Sequence, residues 1–266
     1  MGKSYLGIFR MEFKGELQYR AKAISGITTQ LFWGLLQIYL YMAFLNTESV
    51  DGFSITQMAS YIWLGQAFFA MRYILMGKNI GQSITNGNVC YKFVRPLNLY
   101  NQWYSETLGQ KVASTLLRFP LILIIAAFLP VGFGLSAPVS IPALLLCIVG
   151  ILLGVCMSTT LSMFIVWLTF KTLSEKGSAT IISTISGLLS GMVIPLPMMP
   201  QAVQNVINYL PFRFVSDLPF RIYIGNVGIT DGLIFLAIGF AWLVLLTILG
   251  KLLIKSALKK TVIQGG

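Results

Sequence analysis

The residues able to do chemistry in this chain are few, and most of them are charges set close to apolar sequence. Arg118 is the one charge near the middle of an apolar run, seven residues after Lys111 and two before Pro120. It either snorkels toward the headgroups or binds an anionic headgroup or substrate. Further on, Pro-Phe-Arg recurs at an eight-residue interval, at Pro211 and at Pro219, so that Arg213 and Arg221 flank Asp217. These three either form a structural ion-pair cap or meet a substrate or lipid headgroup. Uncharged polar groups are patterned too. Gln30, Trp33, Gly34, Gln37 and Tyr41 recur at steps of three and four, which share a helical face, and Trp63, Gln66, Ala67 and Ala70 do the same. Polar side chains in an apolar helix face protein or water rather than lipid. Gln30, Trp33, Gln37, Tyr41, Trp63 and Gln66 therefore either bond between helices or line a pathway. Ser183, Gly187 and Gly191, four residues apart, suit a close helix contact.

Covalent chemistry has little to work with. The chain has no histidine, which excludes histidine-ligated zinc and every histidine-based catalytic triad. Cys90, Cys147 and Cys156 match no disulfide framework. No Gly-x-x-x-x-Gly-Lys-Ser/Thr loop is present to cradle ATP phosphates. No metal site and no enzymatic activity are expected. No acidic residue falls in the middle of an apolar run, where an ion-driven carrier needs one.

The elements that must hold these residues follow from composition. Of 266 residues, 56% are apolar and only 10% charged, and the mean hydropathy is +0.79. A soluble domain is about a quarter charged, so most of this exterior must face lipid. Six runs approach the roughly 20 residues a helix needs to cross a bilayer: 23–45, 56–77, 112–129, 141–170, 178–193 and 232–254. They are continuously apolar rather than alternating, so helices and not barrel strands are expected. The net charge of +11 is a topology signal, not a nucleic-acid footprint. All but three of the 19 basic residues (Arg118, Arg213 and Arg221) fall on one side of the six spans, which places both termini in the cytoplasm. Ahead of the spans, residues 1–22 carry Tyr5, Ile8, Phe9, Glu12, Phe13, Glu16 and Leu17 at helical spacing, as an amphipathic helix in the interface would. The transmembrane part is then 23–266.

Two connections exceed simple loops. The cytoplasmic stretch 78–105 is too polar to span and too rich in apolar side chains for a solvated linker; it either packs on its own helix ends or docks a partner. The outer stretch 194–231 contains QAVQNVINYL, too short to cross and too amphipathic to be buried all round. It rests at the outer interface or re-enters partway.

At this point a family resemblance is visible. ITNGNVCYKFVRPLN, followed by Glu106, resembles the cytoplasmic "G…LLRPL…E" segment of type-2 ABC transporter permeases, and YLPFRFVSDLPFRIYIG resembles their outer "LPF…P…IY.G" segment. Cys90–Phe93 stands where a leucine-rich run is usual. The likeness is to the exporter branch that includes viologen and multidrug permeases. It implies an all-α permease of six transmembrane helices in a bacterial cytoplasmic membrane, with an interfacial N-terminal helix and an external re-entrant segment. It implies ATPase coupling through Gly81, Ile84, Thr85, Asn86, Gly87, Asn88, Arg95, Pro96 and Glu106, with ATP and Mg held by two partner ATPase subunits and no cofactor in this chain. It also implies a second permease chain, either a copy or a sister, and an amphiphilic drug-like, peptide or lipid-like cargo. The alternative from the residues alone is a stand-alone secondary carrier or channel, which would need coupling acids or a repeated half-sequence with broken helices.

Overall fold

The computed structural model describes residues 2–45, 54–77, 79–93 and 96–259. Arg95, singled out above, and Lys78 and Lys260, counted for orientation, lie outside them. The described residues form helices and no strand, as an all-α membrane protein should. Among the described residues, three helical stretches are long and apolar enough to cross a bilayer: Leu99–Ala127, Ile141–Thr172 and Ile229–Lys259.

Helix starts are written in the sequence. Ser54 opens α3 (Ile55–Ala67) with a reciprocal capping box: Gln57 N donates to Ser54 Oγ at 3.2 Å, and Ser54 N donates to Gln57 Oε1 at 3.0 Å. A short break at Phe68 leads into α4 (Phe69–Arg72), after which the chain is non-helical to Gly77. The second apolar run is thus helical over less of its length than its hydropathy suggests. Asn98 caps α7 (Leu99–Leu116), so that helix takes in the end of the 78–105 stretch and places Glu106 in its second turn. Leu117 and Arg118 interrupt it before α8 (Phe119–Ala127), whose Pro120 lacks the N–H that would have continued the ladder. Ser140 caps α9 (Ile141–Thr172), and Ser174 caps α10 (Glu175–Leu189).

The N-terminal helix α1 (Gly2–Leu17) lies alongside α7. The face that meets α7 is the Tyr5–Phe9–Glu12–Glu16 stripe. Gln110 donates to Glu12 Oε2 at 2.7 Å, Ser114 to Glu16 Oε1 at 3.0 Å, and the Asn98 N–H to Tyr5 Oη at 3.0 Å. Gly109 makes the approach possible, since a Cβ there would lie 2.7 Å from the Phe9 carbonyl oxygen. The next helix, α2 (Arg20–Leu45), packs on α3 and α8 and buries Ala23, Ile27, Gln30, Gly34, Ile38 and Tyr41 along one face. Gly34 seats the Trp63 ring, whose Nε1 donates to the Phe133 carbonyl at 2.6 Å.

The longest helices, α9 and α13 (Ile229–Lys259), run parallel: Leu236 lies by Gly150, Leu153 by Gly239, and Thr160 Oγ1 is 3.4 Å from Thr247 Oγ1. The groove between them is filled by the 3-10 turn Pro211–Val215 and by α12 (Asp217–Tyr223). Glycines set its floor. The Val215 carbonyl oxygen occupies the place a Cβ on Gly154 would need, Pro219 Cβ lies 2.9 Å from that of Gly150, and the Phe214 ring lies 2.8 Å from that of Gly239. Gly154 is 13 residues into α9, about 20 Å from its start at 1.5 Å per residue. This turn and α12, which follow α11 (Gln201–Ile207), therefore pack deep against the middle of α9. A Gly154→Leu variant is expected to push the turn out of the groove at a cost of about 1–3 kcal/mol. The check is a lower thermal midpoint in detergent together with greater labelling of a cysteine placed at Phe212.

Candidate functional site

Within the segment that fills this groove lies a buried ion network. Asp217 is 0% exposed and Arg213 1%. Arg213 Nε donates to Asp217 Oδ2 at 3.1 Å, Tyr61 Oη donates to Asp217 Oδ1 at 2.8 Å, and Arg221 Nη1 lies 3.9 Å from Oδ2. The four-residue spacing on either side of Asp217 puts both guanidinium groups within its reach. Arg213 also donates to the Asn208 carbonyl at 3.3 Å and stacks on Phe235, 4.4 Å from the ring centroid. Arg221 Nε donates to Asn226 Oδ1 at 2.6 Å. Of the two uses the sequence left open for these residues, the geometry is that of an ion-pair cluster, with Pro211 and Pro219 opening the two short helices that carry it.

Arg72 joins from α4. Counted by sequence among the basic residues of the cytoplasmic side, it instead turns inward, buried, to donate to the Gly191 carbonyl at 3.2 Å and to lie 5.6 Å from the Phe220 centroid. Gly191 stands two residues beyond the end of α10, at φ 73°, so it belongs to the turn that closes the helix and not to its face with Ser183 and Gly187. A side chain there would meet Tyr61 Oη at 2.9 Å. Asp217 thus corrects one sequence inference. Placed outside by its loop-like context, it folds down beside Gly150 and Gly154, so an acid does lie well inside the helical body. Its charge is already matched by arginine, unlike the free acid that ion coupling needs.

Gln37 and Gln66 meet each other, Gln66 Nε2 donating to Gln37 Oε1 at 3.1 Å, and so bridge α2 to α3. Gln30 and Tyr41 are buried on the same face of α2, and Trp63 is enclosed in the core. Trp33, 50% exposed, points away from them. Three and four residue steps made the stripe wide enough to include Trp33; the packed face is the narrower one centred on Gly34.

The other candidate region is a compact hairpin of two short helices, α5 (Ile80–Thr85) and α6 (Cys90–Phe93), joined through Gly87 at φ 73°. Ile80, Ile84 and Val89 are buried against Trp103, Met163, Val166 and Ile254, which lie on α7, α9 and α13. Thr85, Asn86, Gly87 and Asn88 stay exposed, as do Pro96 and Tyr91, the last 74% accessible. Val89 N donates to the Ser83 carbonyl at 2.8 Å and closes the turn. Gly81 is buried where a Cβ would collide with the Glu175 carboxylate, so α5 rests directly on the first turn of α10. Glu106 is half-buried near Gly77, whose N–H donates to Thr107 Oγ1 at 3.2 Å. The sequence singled out this loop but not its support, Glu175, nor Tyr61, Arg72, Gly150 and Gly154. Of these only the Gly150-x-x-x-Gly154 spacing was a visible signal, a small-residue pair of the kind that admits a close neighbour.

Apolar side chains such as Leu233, Ile234, Phe240, Leu245, Ile248 and Leu252 cover the outside of α13. With long apolar helices and a buried ion cluster, they define a polytopic helical protein embedded in a membrane. Residues 31–265 match the family described as ABC-2 family transporter protein, and the chain belongs to that family of ABC-transporter permeases. No curated protein matches it.

Proposed function

We propose that this chain is the membrane subunit of an ATP-driven exporter in a bacterial cytoplasmic membrane. It crosses six times, through α2, α3 with α4, α7 with α8, α9, α10 and α13, with both ends on the lysine- and arginine-rich side. Two ATPase subunits hold ATP and Mg, and this chain carries no cofactor and no catalytic residue. The observation that carries the reading is the exposed Thr85–Asn88 tip on a buried apolar anchor, in a chain of this family. A loop that spends Ile80, Ile84 and Val89 on fixing its base while leaving Thr85, Asn86, Asn88 and Tyr91 uncovered is built to be gripped from outside. Closure of the ATPases would push on that tip, and through Gly81 and Glu175 move α10 against the remaining spans, a rigid-body exchange of inward- and outward-facing states.

A second permease chain, either a copy or a sister, completes the pathway. On α10 a Cβ at Gly187 would meet only Val193, at 3.8 Å, so the small-residue face with Ser183 retains room for a helix from that partner. The cargo is an amphiphilic drug-like compound, peptide or lipid-like molecule moved outward. Asp217 gives the carrier alternative its acid, but Arg213 and Tyr61 hold both carboxylate oxygens.

The test is capture. Tagged chain purified from native membranes is expected to bring an ATPase with it, and Asn86→Ala with Asn88→Ala and Tyr91→Ala to reduce that capture about tenfold or more. Equal capture by the triple variant would remove the tip from the contact. Transport by the chain alone, without ATP, would remove the reading altogether.

A further inference from the structure

A cleft of about 250 Å³ opens where the junction of α1 and α2 meets α4 and α7. Lys22, Lys111 and Arg118 line it, with Glu16 as the one carboxylate in its wall. Glu16 is already engaged, accepting from Lys22 Nζ at 2.9 Å and from Ser114 Oγ at 3.0 Å. The lining therefore carries a surplus of positive charge.

Lys111 is the most informative member. It is only 6% exposed, yet its hydrogen bond is to a neutral group, Ser158 Oγ, at 3.1 Å, and no carboxylate pairs with it among the described residues. An ammonium has three donors, and a buried cation without a counter-charge is costly enough to be rare. Arg118 is similarly underused. Its guanidinium lies on the α2 backbone at Gly26, where a Cβ would come within 2.7 Å of Cζ. One nitrogen reaches the Lys22 carbonyl at 3.4 Å, while Nε is buried without a partner. Facing these cations, Phe69, Tyr73, Leu75 and Met76 form an apolar wall, with Tyr73 and Leu75 open to the outside.

We infer that this cleft binds the phosphate headgroup of an anionic membrane lipid between Lys111, Arg118 and Lys22, with an acyl chain along Phe69, Tyr73, Leu75 and Met76. Phosphate supplies the missing counter-charge and accepts several donors at once. The apolar wall distinguishes the occupant from a free anion, which would gain nothing from it. The position favours a lipid as well, since α1 turns into α2 here, and Lys22 and Lys111 stand directly ahead of the apolar runs 23–45 and 112–129. The site goes beyond the export reading and stands without an ATPase.

Native mass spectrometry of the purified full chain tests this, in neutral detergent doped with equal phosphatidylglycerol and phosphatidylcholine. Phosphatidylglycerol is expected to be retained about tenfold over phosphatidylcholine. Loss of one cation, Arg118→Gln, is expected to cut retention about fivefold, and Lys111→Met with Arg118→Gln about 30-fold, while Lys3→Met on the far end of α1 leaves it unchanged. Should Lys111→Met fail to elute as a folded species, Arg118→Gln at the partly exposed rim decides alone. Equal retention of the two lipids, or unchanged retention in Arg118→Gln, overturns the proposal. So does complete displacement of phosphatidylglycerol by millimolar inorganic phosphate, which would reveal a site for a free anion.

Discussion

Asp217→Ala is expected to destabilise the protein by about 3–5 kcal/mol, the usual cost of removing one partner from a buried ion pair. Arg213 would keep its charge at 1% exposure, with the Asn208 carbonyl and the Phe235 ring as its remaining partners. Tyr61 would lose the acceptor 2.8 Å from its hydroxyl, and Arg221 its counter-charge. Asp217→Asn is the informative companion, since it preserves an acceptor for Tyr61 and removes only the charge. It should fall between wild type and alanine in a thermal unfolding series of the detergent-purified chain. Wild-type midpoints for both variants would mean that the cluster contributes nothing to stability.

The second large effect belongs to Gly81. Gly81→Val places two methyl groups where the Glu175 carboxylate now lies, and α5 cannot stay on the first turn of α10. Forcing such a contact apart costs about 1–3 kcal/mol, a factor of about 5–150 in the population of the docked arrangement. ATP-driven transport in vesicles is expected to fall in that range while insertion and expression hold. The contact itself is isolated by a double-mutant cycle. Gly81→Ala should impair transport, and Glu175→Gly in the same chain should restore much of it. Failure of that rescue would mean that Gly81 acts through something other than Glu175.

What the sequence could and could not reveal follows from the physics of each signal. The stripe of Tyr5, Phe9, Glu12 and Glu16 was legible because helical periodicity marks a face; that α7 covers it was not, because periodicity says nothing of what a face meets. Glu12 and Glu16 looked like solvated or interfacial charges and instead bond Gln110 and Ser114. Ile80, Ile84 and Val89 betrayed a folded loop by being too apolar for a linker, but the fit of Gly81 against Glu175 joins residues far apart in the chain. Depth was the hardest quantity to read. Hydropathy leaves 211–224 out of the six spans, because it contains two prolines, two arginines and an aspartate, and the outer stretch 194–231 could only be said to rest at the interface or re-enter partway. The groove that lowers it into the helical body belongs to Gly150, Gly154 and Gly239 on other helices. Trp33 shows the converse error, a residue placed on the right helix and about one position too far round it.

The receiving groove also constrains biogenesis. Its two walls are α9 and α13, and α13 is synthesised after both α9 and the strap itself. Until that helix arrives, the groove has one wall missing, and Arg213 lacks the Phe235 ring that covers it. The charged strap thus seats fully only once α13 is in place, and truncation ahead of Phe235 should leave a chain whose earlier helices insert while this piece is incompletely buried.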